Sequence, residues 1–168
     1  VARTLTVSSG GKSFSFTGWK IGWALGPAPL VRATQKAHQF VTFATASPFQ
    51  EAIAQALLLP DTYFVELEQQ YRNKRDFLVQ ALKEAGFQPC TPQGTYFVVA
   101  DAGRHARADD FETCRWLTRE VGVAAIPPSA FYCAEHKTEA QRLVRFAFCK
   151  SDATLAEAVR RLKGLELT

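Results

Sequence analysis

Apolar side chains recur along this chain at two periods, and the order in which those periods alternate predicts its elements. From Arg3 to Ser8 apolar and polar positions alternate (Leu5, Val7), which predicts a strand ending at a serine–glycine turn. Trp19 to Leu25 predicts a second short strand, closed by Gly26-Pro27. Helical spacing then takes over, with Leu30, Ala33, Ala37 and Phe40 on one stripe of a helix from about Pro29 to Phe40. Ser47-Pro48 reads as a serine cap with proline at the first helical position, opening a helix to Leu59. The clearest helix starts at a capping Asp61 and stops at Gly86, with Phe64, Leu67, Tyr71, Leu78 and Leu82 on one face.

Beyond Gly86, strand and helix patterns alternate. Gly94 to Ala100 is rich in β-formers and predicts a strand. Asp109-x-x-Glu112 predicts a capping box opening a helix that ends near Val121. Val123 to Ile126 predicts a short strand before Pro127-Pro128, and Leu143 to Cys149 another. Ser151 or Asp152 caps a last helix carrying Leu155, Val159 and Leu162. The expected fold class is α/β, with a small domain joined by the long helix to part of a larger one.

Composition narrows the class without changing that picture. The 168 residues suffice for a domain with its own core, and 47% hydrophobic with 21% charged residues excludes a disordered chain. No apolar run approaches the ~20 residues that span a bilayer, and no stretch reads as a signal or transit peptide, so a cytoplasmic setting away from membranes is expected. The net charge of +4 is spread along the chain. Arg72, Lys74 and Arg75, and again Arg160, Arg161 and Lys163, read as solvated helix faces, not a nucleic-acid surface, because no aromatics interleave them. Cys90, Cys114, Cys133 and Cys149 form no C-x-x-C pair, and His38, His105 and His136 complete no ligand spacing. Reduced thiols and no metal are expected.

Two segments carry candidate chemistry. In Ser9-Gly-Gly-Lys12-Ser-Phe-Ser-Phe-Thr-Gly18-Trp19-Lys20-Ile-Gly22-Trp23, one lysine follows two glycines that would let the backbone close around it, as an amine needs to reach a carbonyl carbon. Ser9 and Lys20 offer the hydroxyl and fixed charge that a nearby anion would want. In Leu143-Val-Arg145-Phe-Ala-Phe-Cys149, strand alternation puts Val144, Phe146 and Phe148 on one face and Arg145 on the other. A guanidinium in so apolar a strand needs an anion or solvent, either in a structural salt bridge or on a ligand.

The first segment resembles the pyridoxal-phosphate attachment segment of class I/II aminotransferases, in the branch of kynurenine and glutamine transaminases and bacterial methionine aminotransferases. That resemblance implies that Lys12 carries pyridoxal 5′-phosphate as a Schiff base (an aldimine) and that Ser9 and Lys20 contact its phosphate. Lysine at position 20, where many members have arginine, is similar to the kynurenine-transaminase branch; Gly10 stands where relatives often have a bulkier small residue. The segment Val144-Arg145-Phe-Ala-Phe-Cys-Lys150 resembles the family's carboxylate-binding motif, with Arg145 forked onto the substrate α-carboxylate. Pro92-Gln93-Gly94-Thr95-Tyr96-Phe97 is similar to a segment bordering the active site, which adds Gly94 and Tyr96. Phe43 falls where relatives place an aromatic reaching the neighbouring subunit's pocket, and Phe131 and Tyr132 would line the side-chain pocket; plain packing is the alternative for these aromatics.

The fold implied is the C-terminal part of a fold type I pyridoxal-phosphate-dependent transferase. Residues 1–59 would close the large cofactor-binding domain, and residues 60–168 would form the small domain. The implied function is transamination between an amino acid (aromatic, kynurenine, methionine or glutamine type) and a 2-oxo acid, in a homodimer. Family members carry an aspartate on the pyridine nitrogen and an aromatic on the ring in a part this chain does not match, so this stretch by itself is expected to be inactive. A carbon–sulfur β-lyase acting on cysteine conjugates or cystathionine would use the same lysine and arginine. A non-catalytic binding module is the further alternative.

Overall fold

A single 24-residue helix, α4 (Asp61–Glu84), runs between two compact units, Val1–Leu67 and Glu68–Thr168. The protein is described by a computed structural model covering residues 3–167. None of its helices among those residues is long and apolar enough to cross a membrane.

In the first unit, β1 (Thr6–Ser9) and β2 (Gly22–Leu25) form an antiparallel pair in register from Thr6↔Leu25 to Ser9↔Gly22. A one-turn helix, α1 (Gly10–Ser13), and a 3-10 turn, Thr17–Trp19, lie between them. That turn is why β2 begins at Gly22 and not at Trp19 as the pattern predicted: Thr17–Trp19 winds up, and Lys20 after it is left-handed. Helices α2 (Ala28–Val41) and α3 (Ser47–Ala56) follow. Ser47 is not the cap of α3. Ala46 occupies that position without a side-chain bond, and the helix stops at Ala56, short of Leu59.

In the second unit, β3 (Gln88–Cys90), β4 (Phe97–Asp101) and β5 (Leu143–Ala147) form an antiparallel sheet in that order. Strand β3 went unpredicted because it is short and contains Pro89, which fits only an edge. The ladder of β4 starts at Phe97 instead of Gly94, because Thr95 sits at φ +67 and breaks the extended run. The strand predicted over Val123–Ile126 shrinks to one bridge, Ile126 to Arg145, since Pro127 and Pro128 carry no N–H to continue it. Helix α5 (Asp110–Trp116) is capped by Asp109, whose carboxylate accepts from Glu112 N at 2.8 Å. Only half of the capping box forms, because the Glu112 side chain pairs with Arg115. A π-turn, Leu117–Val121, extends it to Gly122. Helix α6 (Asp152–Lys163) is capped by Ser151, which accepts from Thr154 N at 3.3 Å.

Strand alternation decides what is buried. Val98 and Ala100 of β4, Val144 and Phe146 of β5, and Phe148 turn inward against Leu78 and Leu82 of α4, Leu117, and Leu155 and Leu162 of α6. Each of these except Ala100 contributes roughly 1.5–3 kcal/mol by leaving water. Gly86 ends α4 at φ +90, where Phe87 N reaches back to Leu82 O at 2.9 Å; a β-carbon there would be strained. The opposite sheet face carries Phe97, Val99 and Arg145, half-buried.

The four cysteines are free thiols; Cys90 and Cys133 are exposed, Cys149 is half-buried and Cys114 is buried. Burial first, and the nearby Asp110 charge second, push the Cys114 thiol up to about 12.

One surface ion-pair cluster links this unit's stability to acid pH. Glu157 binds both Arg160 and Arg161, and Arg161 donates to Gly122 O at 2.7 Å, tying α6 to the end of the π-turn. The hydrogen bonds from Arg160 and Arg161 hold the Glu157 carboxyl down at about 2. A carboxyl depressed in the folded state stabilises fully above its ordinary value, and that contribution fades as the pH falls from 4.5 towards about 2. Glu157→Gln is expected to flatten the acid side of the stability profile across that window. Thermal melting of both proteins against pH checks this, and identical acid slopes would contradict it.

Candidate active site

The segment around Lys12 is built by closing a tight hairpin. Gly22 faces Ser9 across the ladder, and a β-carbon on it would lie 2.3 Å from Ser8 O, so only glycine lets the strands approach this closely. Gly10 N donates to Ile21 O at 3.1 Å, turning the chain out of β1 into α1. Gly10 and Gly11 are buried, and a β-carbon on Gly10 would run into the side chains of Phe16 and Ile53. Bulk at position 10 therefore requires those two side chains to move.

Lys12 is half-buried, and its neighbours on both sides are tied down. Before it, Gly11 N donates to Ser9 Oγ at 3.2 Å and Gly11 O accepts from Thr17 Oγ1 at 3.0 Å. After it, Ser13 O accepts from the Tyr63 hydroxyl at 2.7 Å. The chain beyond is held by a run of stacked rings, Phe14–Phe16, Phe16–Trp19 and Trp19–Phe49, with centroids 5.6, 4.8 and 4.7 Å apart. Offset ring pairs contribute about 0.5–1.5 kcal/mol each beyond their burial. Tyr63 was not singled out in the sequence, because nothing local links it to a carbonyl fifty positions earlier.

Ser9 and Lys20 suit an anion, each in its own way. Ser9 Oγ spends a lone pair on Gly11 N–H and keeps its own proton to donate. Lys20 is exposed and left-handed, at φ 53 and ψ 44. For a residue with a β-carbon that conformation costs about 1–2 kcal/mol, a strain that clusters at functional positions. Phe43 at φ 70 and Thr95 at φ 67, between Gly94 and Tyr96, share it. On the expectation that Lys20 contacts a phosphate, Lys20→Gly should raise the melting temperature while weakening phosphate-ester binding. Lys20→Arg should keep the binding and leave the strain. A glycine variant with unchanged affinity would remove Lys20 from the site.

Phe43 is 81% exposed and lines a hollow of about 290 Å³ with residues of β2 and α2, among them Ala24, Val31 and His38. In the second unit, Gly94 is exposed and Tyr96 half-buried, its carbonyl accepting from Phe148 N at 2.9 Å.

Arg145 has the most defined setting. Its backbone bonds Ile126 in both directions at 3.0 Å and pairs with Val99 on the other side. Its guanidinium carbon lies 4.8 Å from the Phe97 centroid and 4.8 Å from the Phe131 centroid. Among the described residues it forms no salt bridge, so the internal ion pair that the sequence left open is not what holds it. Ring faces attract a cation by about 0.5–2 kcal/mol without using its N–H groups, which stay available for an anion. Phe131 is 67% exposed and Tyr132 is also exposed. Phe97 was missed in the sequence as a partner of Arg145; the available signal was its position on an adjacent strand, on the same face.

Comparison with known proteins brings the two segments under one heading. The family model for aminotransferase class I and II matches residues 1–162. The chain is 45% identical to a kynurenine–oxoglutarate transaminase of Dictyostelium discoideum over 98% of its length and 42% of the relative's. It is 42% identical to the methionine aminotransferase of Escherichia coli over 97% of its length, again 42% of that protein. The solved N-succinyldiaminopimelate aminotransferase of Mycobacterium tuberculosis superposes with a TM-score of 0.86 at 46% identity, covering 97% of this chain and 42% of that one. The chain thus spans about two-fifths of the length of the relatives it matches.

Proposed function

The chain belongs to the class I and II aminotransferases, which depend on pyridoxal 5′-phosphate, and has the fold of the C-terminal portion of that fold type I architecture; from this premise we propose that it supplies the lysine and the carboxylate-binding arginine of a transaminase. The observation that carries the proposal is the setting of Arg145. A permanently charged, planar fork, lying over two rings and without a carboxylate partner among the described residues, is suited to receive one from a substrate. Two parallel bonds to an α-carboxylate fix the amino acid's orientation as well as its charge.

The donor set in the hairpin fits the cofactor. A primary amine suits its aldehyde, and a hydroxyl proton with a second cation suits its phosphate; Lys12, Ser9 and Lys20 provide these within one turn region. When bound, pyridoxal phosphate supplies the electron sink that stabilises negative charge at the substrate Cα. Lys12 would hold it covalently and, once released as a free amine, take the Cα proton at Nζ and return it to complete the exchange. Ser9 and Lys20 would anchor the phosphate, while Gly94 and Tyr96 would border the substrate. Phe131, and Phe43 in a homodimer, would give the pocket its apolar walls, which favours methionine, kynurenine, glutamine or aromatic amino acids.

The reading is tested in a hybrid in which this chain replaces the matching 42% of E. coli methionine aminotransferase. Transfer of the amino group from methionine or kynurenine to a 2-oxo acid is expected. Ammonia and pyruvate released from a cysteine conjugate without an acceptor would mark a β-lyase instead, and a folded, cofactor-loaded hybrid with neither activity would overturn the reading.

A further inference from the structure

Asp110 is 1% exposed, and both of its carboxylate oxygens are used. Oδ2 accepts from Ser129 N at 2.8 Å and Oδ1 from Ser129 Oγ at 2.8 Å, nineteen positions along the chain. Ser129, itself buried, lies in the 3-10 turn Pro128–Phe131, whose last residue places its ring on the Arg145 guanidinium. The turn starts from the β5 edge, because Ile126 is bridged to Arg145 and the two prolines then release the chain from the ladder. The Phe131 side chain is 67% exposed, so the turn's backbone must hold the ring in place.

A buried carboxylate is a costly way to fasten a turn. Taking the charge from water is unfavourable unless its oxygens are satisfied, and a buried pair of apolar groups would often serve stability as well. Two bonds converging on one serine give something burial alone does not, a single position for the turn. Together with Pro127 and Pro128, which restrict the backbone directly after the bridge, this fixes where Phe131 can stand.

We propose that Asp110 is a positioning residue: through Ser129 it holds the Pro128–Phe131 turn so that the Phe131 ring braces Arg145 for the substrate carboxylate. The last clause rests on the reading of Arg145 as the carboxylate site, whereas the link from Asp110 to the placement of Phe131 stands apart from it. Asp110 touches neither substrate nor cofactor in this scheme. Its effect on Arg145 passes through Ser129 and Phe131.

The test is a nuclear magnetic resonance study of the cofactor-free hybrid enzyme, in which this chain stands in place of the matching 42% of E. coli methionine aminotransferase. Two readouts are taken: Overhauser contacts between the Phe131 ring and the Arg145 side chain, and the shift of Arg145 Nε–H on titration with L-methionine. L-methioninol, which lacks the carboxylate, is the control. In the wild type both ring contacts and a methionine-specific shift are expected. Asp110→Ala and Ser129→Ala should lose the Phe131–Arg145 contacts and weaken methionine binding by about threefold to fivefold, the share a ring face contributes to a cation, while core resonances such as Val98 and Val144 stay in place. Asp110→Asn keeps an oxygen for Ser129 N–H and should restore most of both, a rescue that a general loss of stability would not give. If Asp110→Ala does not fold, Ser129→Ala decides. Wild-type contacts and affinity in a folded Asp110→Ala or Ser129→Ala variant would overturn the proposal. If wild-type Arg145 ignores methionine, the carboxylate reading falls, and the ring contacts in the variants still decide the role of Asp110.

Discussion

Lys12→Ala is expected to abolish transamination in the hybrid enzyme, and Lys12→Arg to do so equally. The alanine variant removes both the covalent hold on the cofactor and the base that takes the Cα proton. Loss of a positioned general base alone typically costs about 10²–10⁴-fold. Because the same amine serves both roles, the losses do not separate, and turnover should fall to background. The arginine variant keeps charge and length but stays protonated, so it can neither attack a carbonyl carbon nor accept a proton. It should also fold, because Lys12 is only half-buried and the bonds made by Gly11 and Ser13 on either side of it stay in place. Single-turnover measurements on purified variants check the outcome. Retained turnover by either would remove Lys12 from the centre of the reaction.

Arg145→Lys is the second large effect. Lysine keeps the charge and loses the fork, so one of two parallel bonds to the carboxylate disappears, along with the flat surface that stacks between Phe97 and Phe131. A charge-assisted hydrogen bond contributes about 1.5–3 kcal/mol, which corresponds to roughly 10- to 100-fold in kcat/KM for amino acids. KM should rise, and kcat should fall as well, since a carboxylate held at one point no longer fixes the direction of the Cα–H bond. Methioninol binding, which owes nothing to the carboxylate, should be unaffected. An Arg145→Lys variant with wild-type kcat/KM for methionine would show that the guanidinium serves only the packing of Phe97 and Phe131.

The two charged residues proposed as anchors stand out in the sequence for opposite reasons. Lys12 stands out because two glycines that would weaken any ordinary helix precede it, and the hairpin needs a third, Gly22, for its closest backbone approach. Arg145 stands out because it interrupts an alternation otherwise apolar, and that alternation holds, with Val144, Phe146 and Phe148 buried and Arg145 on the other face. Local backbone conformation and long-range contacts were not legible. The left-handed positions of Lys20, Phe43 and Thr95 belong to side chains that ordinarily avoid that region, so no residue type announced them. Phe97, Tyr63 and Asp110 act on residues far along the chain, through strand register, a carbonyl and a serine that only tertiary packing brings near. Element boundaries failed where backbone chemistry overrode side-chain pattern, at the 3-10 turn before β2 and at the prolines that cut the strand after Val123 to one bridge.

The most direct measurement of Lys12's role is a reductive trap. The hybrid enzyme is loaded with pyridoxal phosphate, reduced with borohydride, digested, and its peptides are sequenced by mass spectrometry. The phosphopyridoxyl group is predicted on Lys12 at close to one per chain, and absent from the Lys12→Ala protein. A group carried by Lys20 or Lys150, or spread over many lysines, would contradict the assignment of this hairpin as the site of cofactor attachment.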